Sequence, residues 1–168
     1  LHLLCADGTG SADVAEKLMA KGQFDINQMN NEGCTPLICA CKSGNLEVVR
    51  LLLKVNDVDV NVTCEDADEK EKHTPLTYAC KSGNLAIAEL LLAAHDIDIN
   101  AHVPLYHACT ECRRNIVEKL LSIEETDVNL TRSNGMTSLG ALSMADEGRK
   151  KDLVALLKKK GARPTIFD

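Results

Sequence analysis

Tryptophan is absent from the 168-residue chain, and two tyrosines and two phenylalanines are its only large rings, so aromatics make up 2% of residues. A compact globular core or a deep pocket usually leans on such rings. A core of Leu, Val, Ile, Ala and Cys instead suggests thin layers of small side chains. An excess of basic residues is lacking too. The formal charge of −6 argues against nucleic acid, whose binding rests on Lys and Arg neutralising phosphates. No apolar run approaches the length of a membrane span, and the first residues lack the basic-then-apolar pattern of a secretory leader. No Gly-rich phosphate loop occurs.

What is abundant is self-similarity, the feature to seek first when a fold is repetitive. Residues 35–53 read TPLICACKSGNLEVVRLLL and residues 74–92 read TPLTYACKSGNLAIAELLL. They share Thr-Pro-Leu, Ala-Cys-Lys-Ser-Gly-Asn-Leu and a closing triple Leu at identical offsets. The frame returns as VPLYHACTECRRNIVEKLL at 103–121 and, more loosely, at 137–157 and at 1–19. A second signature closes most units: Asp25-Ile26-Asn27, Asp59-Val60-Asn61, Asp98-Ile99-Asn100 and Asp127-Val128-Asn129. These Asn residues are 34, 39 and 29 positions apart.

The local chemistry of each unit is readable. Thr35-Pro36 predicts the start of a short helix, since Pro is tolerated in a first turn whose N–H groups lack intrahelical partners. Gly44 and Gly83 sit where that helix must stop, as left-handed caps. Val48, Val49, Leu52 and Leu53 form a broad apolar stripe on a second helix. Asp57-Val58-Asp59-Val60-Asn61 alternates polar and apolar residues, as an extended segment does. A unit of this kind has apolar surface on both sides and is stable only when stacked.

The frame resembles the ankyrin repeat, whose mark is Thr-Pro-Leu-His-x-Ala within about 33 residues. The resemblance covers essentially the whole chain. It implies an all-α solenoid of helix-turn-helix units joined by β-hairpin fingers, one domain spanning 1–168. It implies about five repeats, near 1–29, 30–62, 63–100, 101–133 and 134–168.

Several places depart from the frame. Leu1-His2 reads as the end of a Thr-Pro-Leu-His motif, which predicts that the sequence is a fragment or continues upstream. Between Asn61 and Thr74 the chain carries a surplus of five residues around TCEDADEKEKH, predicting a lengthened, charged, mobile finger. Between Asn100 and Val103 five residues are lacking, so either a tight turn replaces the finger or residues are missing. Cys112 stands where the capping Gly belongs, a cost if a left-handed residue is still needed. The last unit has Ser138 for Pro and extra residues near Asp146-Glu147-Gly148. With its lysine-rich second helix it reads as a terminal cap with a wet outer face. The basic run Arg149–Arg163 is either that solvated face or a surface for an acidic partner.

Three tempting chemistries fail on spacing. Cys109-x-x-Cys112 with Cys39-x-Cys41 has the look of a zinc site, but Cys5, Cys41, Cys80 and Cys109 hold one equivalent position, one per layer, whereas zinc needs converging ligands. They are expected to be small packing residues; disulfides are disfavoured and a reducing, intracellular compartment is expected. Asp57-x-Asp59-x-Asn61 and Asp96-x-Asp98-x-Asn100 open like calcium loops but offer Val62 and Asp68, or Ala101 and His107, where Gly and Glu are required. Ser43, Ser82, His73 and His102 are spaced without any sign of a convergent triad. No catalytic residue, metal ligand or cofactor is assigned, and an enzyme is not expected.

Resemblance to the family implies a concave groove lined by fingers and first helices. Its binding positions carry over to Glu32 and Cys34, His73, His102 and Met136 at the finger tips. They carry over equally to Lys42 and Ser43, Lys81 and Ser82, and Thr110 and Glu111 at the ends of first helices, with Ala6 and Asp7 as the equivalents in the first unit. Lys42 and Lys81, beside Glu65, Asp66, Asp68 and Glu69, predict a charged or mixed protein surface as partner, with a carboxylate meeting the lysines. The expected function is a monomeric protein-interaction module with no small-molecule substrate. The alternative is a regulatory ankyrin segment of a larger signalling or membrane protein, making contacts mainly within its own chain. Leu followed by Asp-Val-Asn also resembles substrates of an asparaginyl hydroxylase, which makes Asn61 and Asn100 candidates for that modification.

Overall fold

The computed structural model describes residues 1–2, 5, 12–20, 25–65, 71–142 and 147–164. They fall into two units, Leu1–Asp98 and Ile99–Asp168. Ala6, Asp7, Asp66, Asp68, Glu69 and Asp146 lie outside the described residues, as do the side chains of Glu147 and Arg149.

In the first unit, α1 (Ala12–Ala20) precedes two helix pairs, α2 (Pro36–Ser43) with α3 (Leu46–Leu52) and α4 (Pro75–Ser82) with α5 (Leu85–Leu92). The repeated text produces repeated geometry. Thr35 is extended (φ −78°, ψ 165°) and its hydroxyl accepts the Ile38 N–H at 3.4 Å. Thr74 does the same for Thr77 at 3.2 Å. Each side chain thereby satisfies one of the amides that a helix start leaves without an intrahelical acceptor. The four-residue Lys-Ser-Gly-Asn turn then has two tasks. Gly44 adopts φ +75° and Gly83 φ +81°, ending the first helix in a conformation that a Cβ disfavours. Asn45 and Asn84 start the second helix, accepting from Val48 and Ile87 at 3.2 Å each.

Packing follows from the apolar stripes. α2 packs against both α3 and α4, α4 against α5, α3 against α5, and α1 against α3. Leu37, Ile38, Val48, Val49, Leu52, Leu76, Ile87, Ala88 and Leu91 are fully buried between these layers. Burial of this kind supplies roughly 25 cal/mol per Å² of apolar surface removed from water. Between the pairs lies an antiparallel hairpin of β1 (Cys64–Glu65) and β2 (Lys72–His73), with Cys64 opposite His73 and Glu65 opposite Lys72. The hairpin flanks the surplus charged stretch; residues 66–70, on which the expectation of a lengthened, mobile finger falls, lie outside the described residues.

The second unit holds α6 (Pro104–Thr110) and α7 (Arg114–Leu121), then α8 (Ser138–Leu142) and α9 (Glu147–Lys159). Where the spacing is five residues short, the chain makes a tight turn. His102 and Val103 take φ +56° and +49°, and the Val103 N–H returns to the Asn100 carbonyl at 3.2 Å. Left-handed φ at a β-branched residue is strained. Cys112 takes φ +51°, so the turn keeps its left-handed residue although the glycine is gone. Before α8 a short turn runs from Thr131 to Thr137, which pair across it. The Thr137 hydroxyl accepts the Gly140 N–H at 3.1 Å, as the other capping threonines do. Along α9, Leu153 and Leu157 are buried while Lys151, Lys158 and Lys159 are exposed, as is Lys160 just beyond it.

Asparagine side chains join successive layers within each unit. Asn27 donates to the Asp57 carbonyl at 2.6 Å and accepts from the Asp59 N–H at 2.8 Å. Asn61 holds Asp96 and Asp98 in the same way at 2.7 and 2.8 Å. In the second unit Asn100 holds Glu125 and Asp127, and Asn129 holds Gly161 and Arg163. The aspartates two positions earlier shape the same loops. Asp25, Asp59 and Asp127 each accept the N–H of the following Asn at 2.9 Å, an Asx turn that aims the amide at the next layer.

Candidate partner-binding face

In the first unit the finger before α2 is a short turn built on Asn30. Its side-chain oxygen accepts the Glu32 N–H at 3.0 Å and the Cys34 N–H at 2.9 Å, and Gly33 supplies φ +74°. This closure exposes Glu32 and turns Cys34 inward. Along the adjoining face of α2, Lys42 is exposed and its ammonium lies 5.7 Å from the centroid of the Tyr78 ring on α4, so the cation leans across to the next layer. Ser43 is half-buried and donates to the Cys5 carbonyl at 2.6 Å, tying α2 to the layer before it.

These groups enclose two concavities. One, of about 640 Å³, is lined by His2, Asn30, Asn31, Glu32, Cys34, Cys39, Lys42 and Ser43. The other, of about 430 Å³, lies between the two Lys-Ser-Gly-Asn turns, with Lys42 and Ser43 on one wall and Ser82, Gly83 and Asn84 on the other. Lys42 and Ser43 border both. Lys81 is half-buried and Ser82 exposed, its hydroxyl donating to the Ala79 carbonyl at 3.2 Å.

Within the second unit, His102, Thr110 and Glu111 are exposed. Thr110 turns its hydroxyl back to the Tyr106 carbonyl at 3.0 Å. Met136 is half-buried, its sulfur accepting from the Tyr106 hydroxyl at 3.6 Å, while the Arg132 guanidinium stands 5.3 Å from the same ring's centroid.

Three expectations are corrected. His73 is not an exposed finger-tip residue: it is fully buried, its ring edge-on to Tyr78 at 5.2 Å, because the following Thr-Pro turn draws β2 onto the helices. Cys34 is not exposed either, at 2% of its surface. And the cysteines are not all packing thiols, since Cys34 and Cys64 form a disulfide, with Cα atoms 5.0 Å apart. Aligning cysteines by equivalent helical position hides this pair. Cys34 opens onto α2 from the descending side of one finger, and Cys64 stands on the ascending side of the next. Stacking brings these inequivalent positions together. Tyr78, Asn30 and His2 were also missed, because a ring or amide on one layer joins a site only when the neighbouring layer is known.

The helical cysteines behave as the repeat frame predicts. Cys5, Cys41, Cys80 and Cys109 are completely buried, in successive helical layers of their units. Burial pushes the thiols of Cys5 and Cys109 up to about 12 and raises that of Cys41 further. Among the described residues no three His, Cys, Asp or Glu side chains gather as a metal site, and no helix is long and apolar enough to cross a membrane. Asn61 and Asn100, the hydroxylation candidates, use both ends of their amides in the interlayer bonds above.

The family model for ankyrin repeats in three copies matches residues 1–103, which include both complete helix pairs of the first unit. No curated protein matches the chain. Matched over more than half its length, and with Thr-Pro helix starts and Gly stops where the repeat frame places them, the chain belongs to the ankyrin-repeat family.

Proposed function

We propose that the chain is a non-catalytic protein-interaction module that takes a partner peptide or domain on the finger and first-helix face of its first unit. Ankyrin repeats generally mediate protein–protein interaction, and a rigid scaffold with exposed loops suits that task. The single observation that carries the reading is the position of Lys42. It is exposed, borders both concavities and leans over the buried Tyr78 ring, which holds the cation at their shared edge. With Lys81 one layer on, it suits a carboxylate on the partner, while Glu32 and Ser82 supply polar contacts at the edges. The exposed His102, Thr110 and Glu111, and Met136, remain contacts for the second unit in this reading. We count the pairs α6–α7 and α8–α9 as the fourth and fifth repeats of one domain, on the resemblance of their text to the first three. The domain acts as a monomer in an intracellular setting.

The test uses a probe peptide selected from a random library displayed on phage, with the intact chain as target. In the Lys42→Glu/Lys81→Glu variant its affinity should fall at least tenfold, measured by fluorescence anisotropy, with an unchanged unfolding midpoint. Equal affinity for both proteins defeats the assignment of this face.

We also propose Asn61 and Asn100 as hydroxylation sites, by similarity to family substrates. A hydroxylase must act when the loops at Asp96–Asp98 and Glu125–Asp127 have released these amides. Peptide mass analysis of native protein should show a one-oxygen increment at these residues, and its absence from both rejects them.

A further inference from the structure

Two successive fingers of the first unit are joined covalently. The Cys34–Cys64 bond spans 30 residues of sequence, linking the turn that begins at Asn30 to β1 of the next finger. The bonds that shape the first turn are local: the Asn30 N–H to the Cys34 carbonyl and the Gly33 N–H to the Asn30 carbonyl, both 2.9 Å, with the Asn30 side chain between them. Among the described residues, the Cys34–Cys64 bond ties it to the next finger. The Cys64 and Cys34 sulfurs lie 3.5 and 3.9 Å from the carbonyl oxygen of Glu32, the residue that edges the larger concavity. The helices below have caps and packing of their own, and meet the fingers through Asn30 with Cys39 and through His73 with Tyr78.

We infer that the Cys34–Cys64 disulfide is a reversible redox clasp: closed, it orders the finger edge of the partner-binding groove, and opened, it releases that edge while the helical layers stay folded. The inference rests on the reading of that groove as the partner's site.

The exchange balances with glutathione as the co-reactant. One cysteine thiolate attacks glutathione disulfide, forming a mixed disulfide and expelling one glutathione thiolate. The second cysteine thiolate then attacks the protein-side sulfur and expels the other. Two protein thiols become one disulfide, two electrons pass to glutathione disulfide, and two glutathione thiols result. Cys34 stands in the wall of the open concavity but, like Cys64, exposes only 2% of its surface, so exchange with glutathione requires the finger edge to part first. The surrounding cysteines do not compete. Burial and the nearby Glu32 raise the Cys39 thiol above its ordinary range, and burial raises Cys5 and Cys41, so these three stay protonated and are poor nucleophiles for scrambling the bond. Disulfides that form in reducing compartments are usually transient or redox-sensing.

The experiment equilibrates the intact chain in glutathione buffers of stepped ratio, with the bond's state read by differential alkylation and mass spectrometry. At each end of the series, amide hydrogen exchange is measured, and the affinity of the phage-selected peptide. Opening the bond should speed exchange at residues 30–34 and 62–65 at least tenfold, leave α4 and α5 unchanged and weaken peptide binding at least fivefold. A Cys34→Ser/Cys64→Ser variant should match the reduced protein and ignore the buffer. Finger exchange that does not respond, or loss of protection throughout the unit, overturns the clasp. A response in the fingers without any change in affinity overturns its link to binding. The Lys42→Glu/Lys81→Glu variant separates the two ideas: if it binds the peptide normally while the fingers still respond, the groove reading has failed and the local clasp stands.

Discussion

The pair α4–α5 in the first unit and the pair α6–α7 in the second share a frame, but only one keeps its punctuation. Around α4–α5, Thr74 and Asn84 cap the helix starts and Gly83 turns the chain. Around α6–α7 the corresponding residues are Val103, Arg113 and Cys112. Neither Val103 nor Arg113 makes a side-chain cap, and Val103 and Cys112 are forced into left-handed backbone. Yet the buried stripe survives: Leu105, Ala108, Cys109, Ile116, Val117 and Leu120 are buried at 4% exposure or less, matching Leu76, Ala79, Cys80, Ile87, Ala88 and Leu91. Helix caps are each worth about 1 kcal/mol, whereas burying a large apolar side chain contributes about 1.5–3 kcal/mol. A pair can lose its caps and stand; it cannot lose its stripe.

That contrast can be broken most forcefully in the stripe. Leu91→Ala and Leu120→Ala should each cost about 2–5 kcal/mol, read from denaturant midpoints, because both side chains are fully buried. A loss at Leu120 well below that at Leu91 would mean the uncapped pair is packed less firmly. The turns come next. Cys112→Gly should stabilise by about 1 kcal/mol by relieving left-handed strain, and Gly83→Ala should destabilise by a similar amount. The opposite sign at Cys112 would show its side chain contributing more than its backbone costs. The second-helix caps give the smallest effects: Asn84→Ala should lose about 1 kcal/mol and Arg113→Asn should gain about 0.5 kcal/mol. No gain at Arg113 would show the turn after Cys112 unable to aim a capping side chain.

Much of this was legible in residue order. The Thr-Pro starts, the Gly stops and the closing leucines appear where the text places them, because each acts within about four residues of itself. Asp59-Val60-Asn61 suggested an extended polar edge. Its role as an interlayer tie was hidden, since the bonds go to Asp96 and Asp98 in the next layer. The candidate site was legible in part. Glu32, Lys42 and Ser82 face outward as their positions imply, but Ser43 is spent on the Cys5 carbonyl and Met136 on Tyr106.

Sequence alone therefore determined the repeated helix pairs, their Thr-Pro starts and Gly stops and most of their buried stripes, Leu53 alone falling past its helix and half-buried, since short-range sterics and apolar periodicity act along one stretch of chain. Tertiary structure decided which residues of different layers meet: Lys42 with Tyr78, His73 beneath its finger, Cys34 with Cys64. Such neighbours are set by how one layer rests on the next, about one repeat away in sequence, and inequivalent positions meet there that a comparison of equivalent ones does not pair.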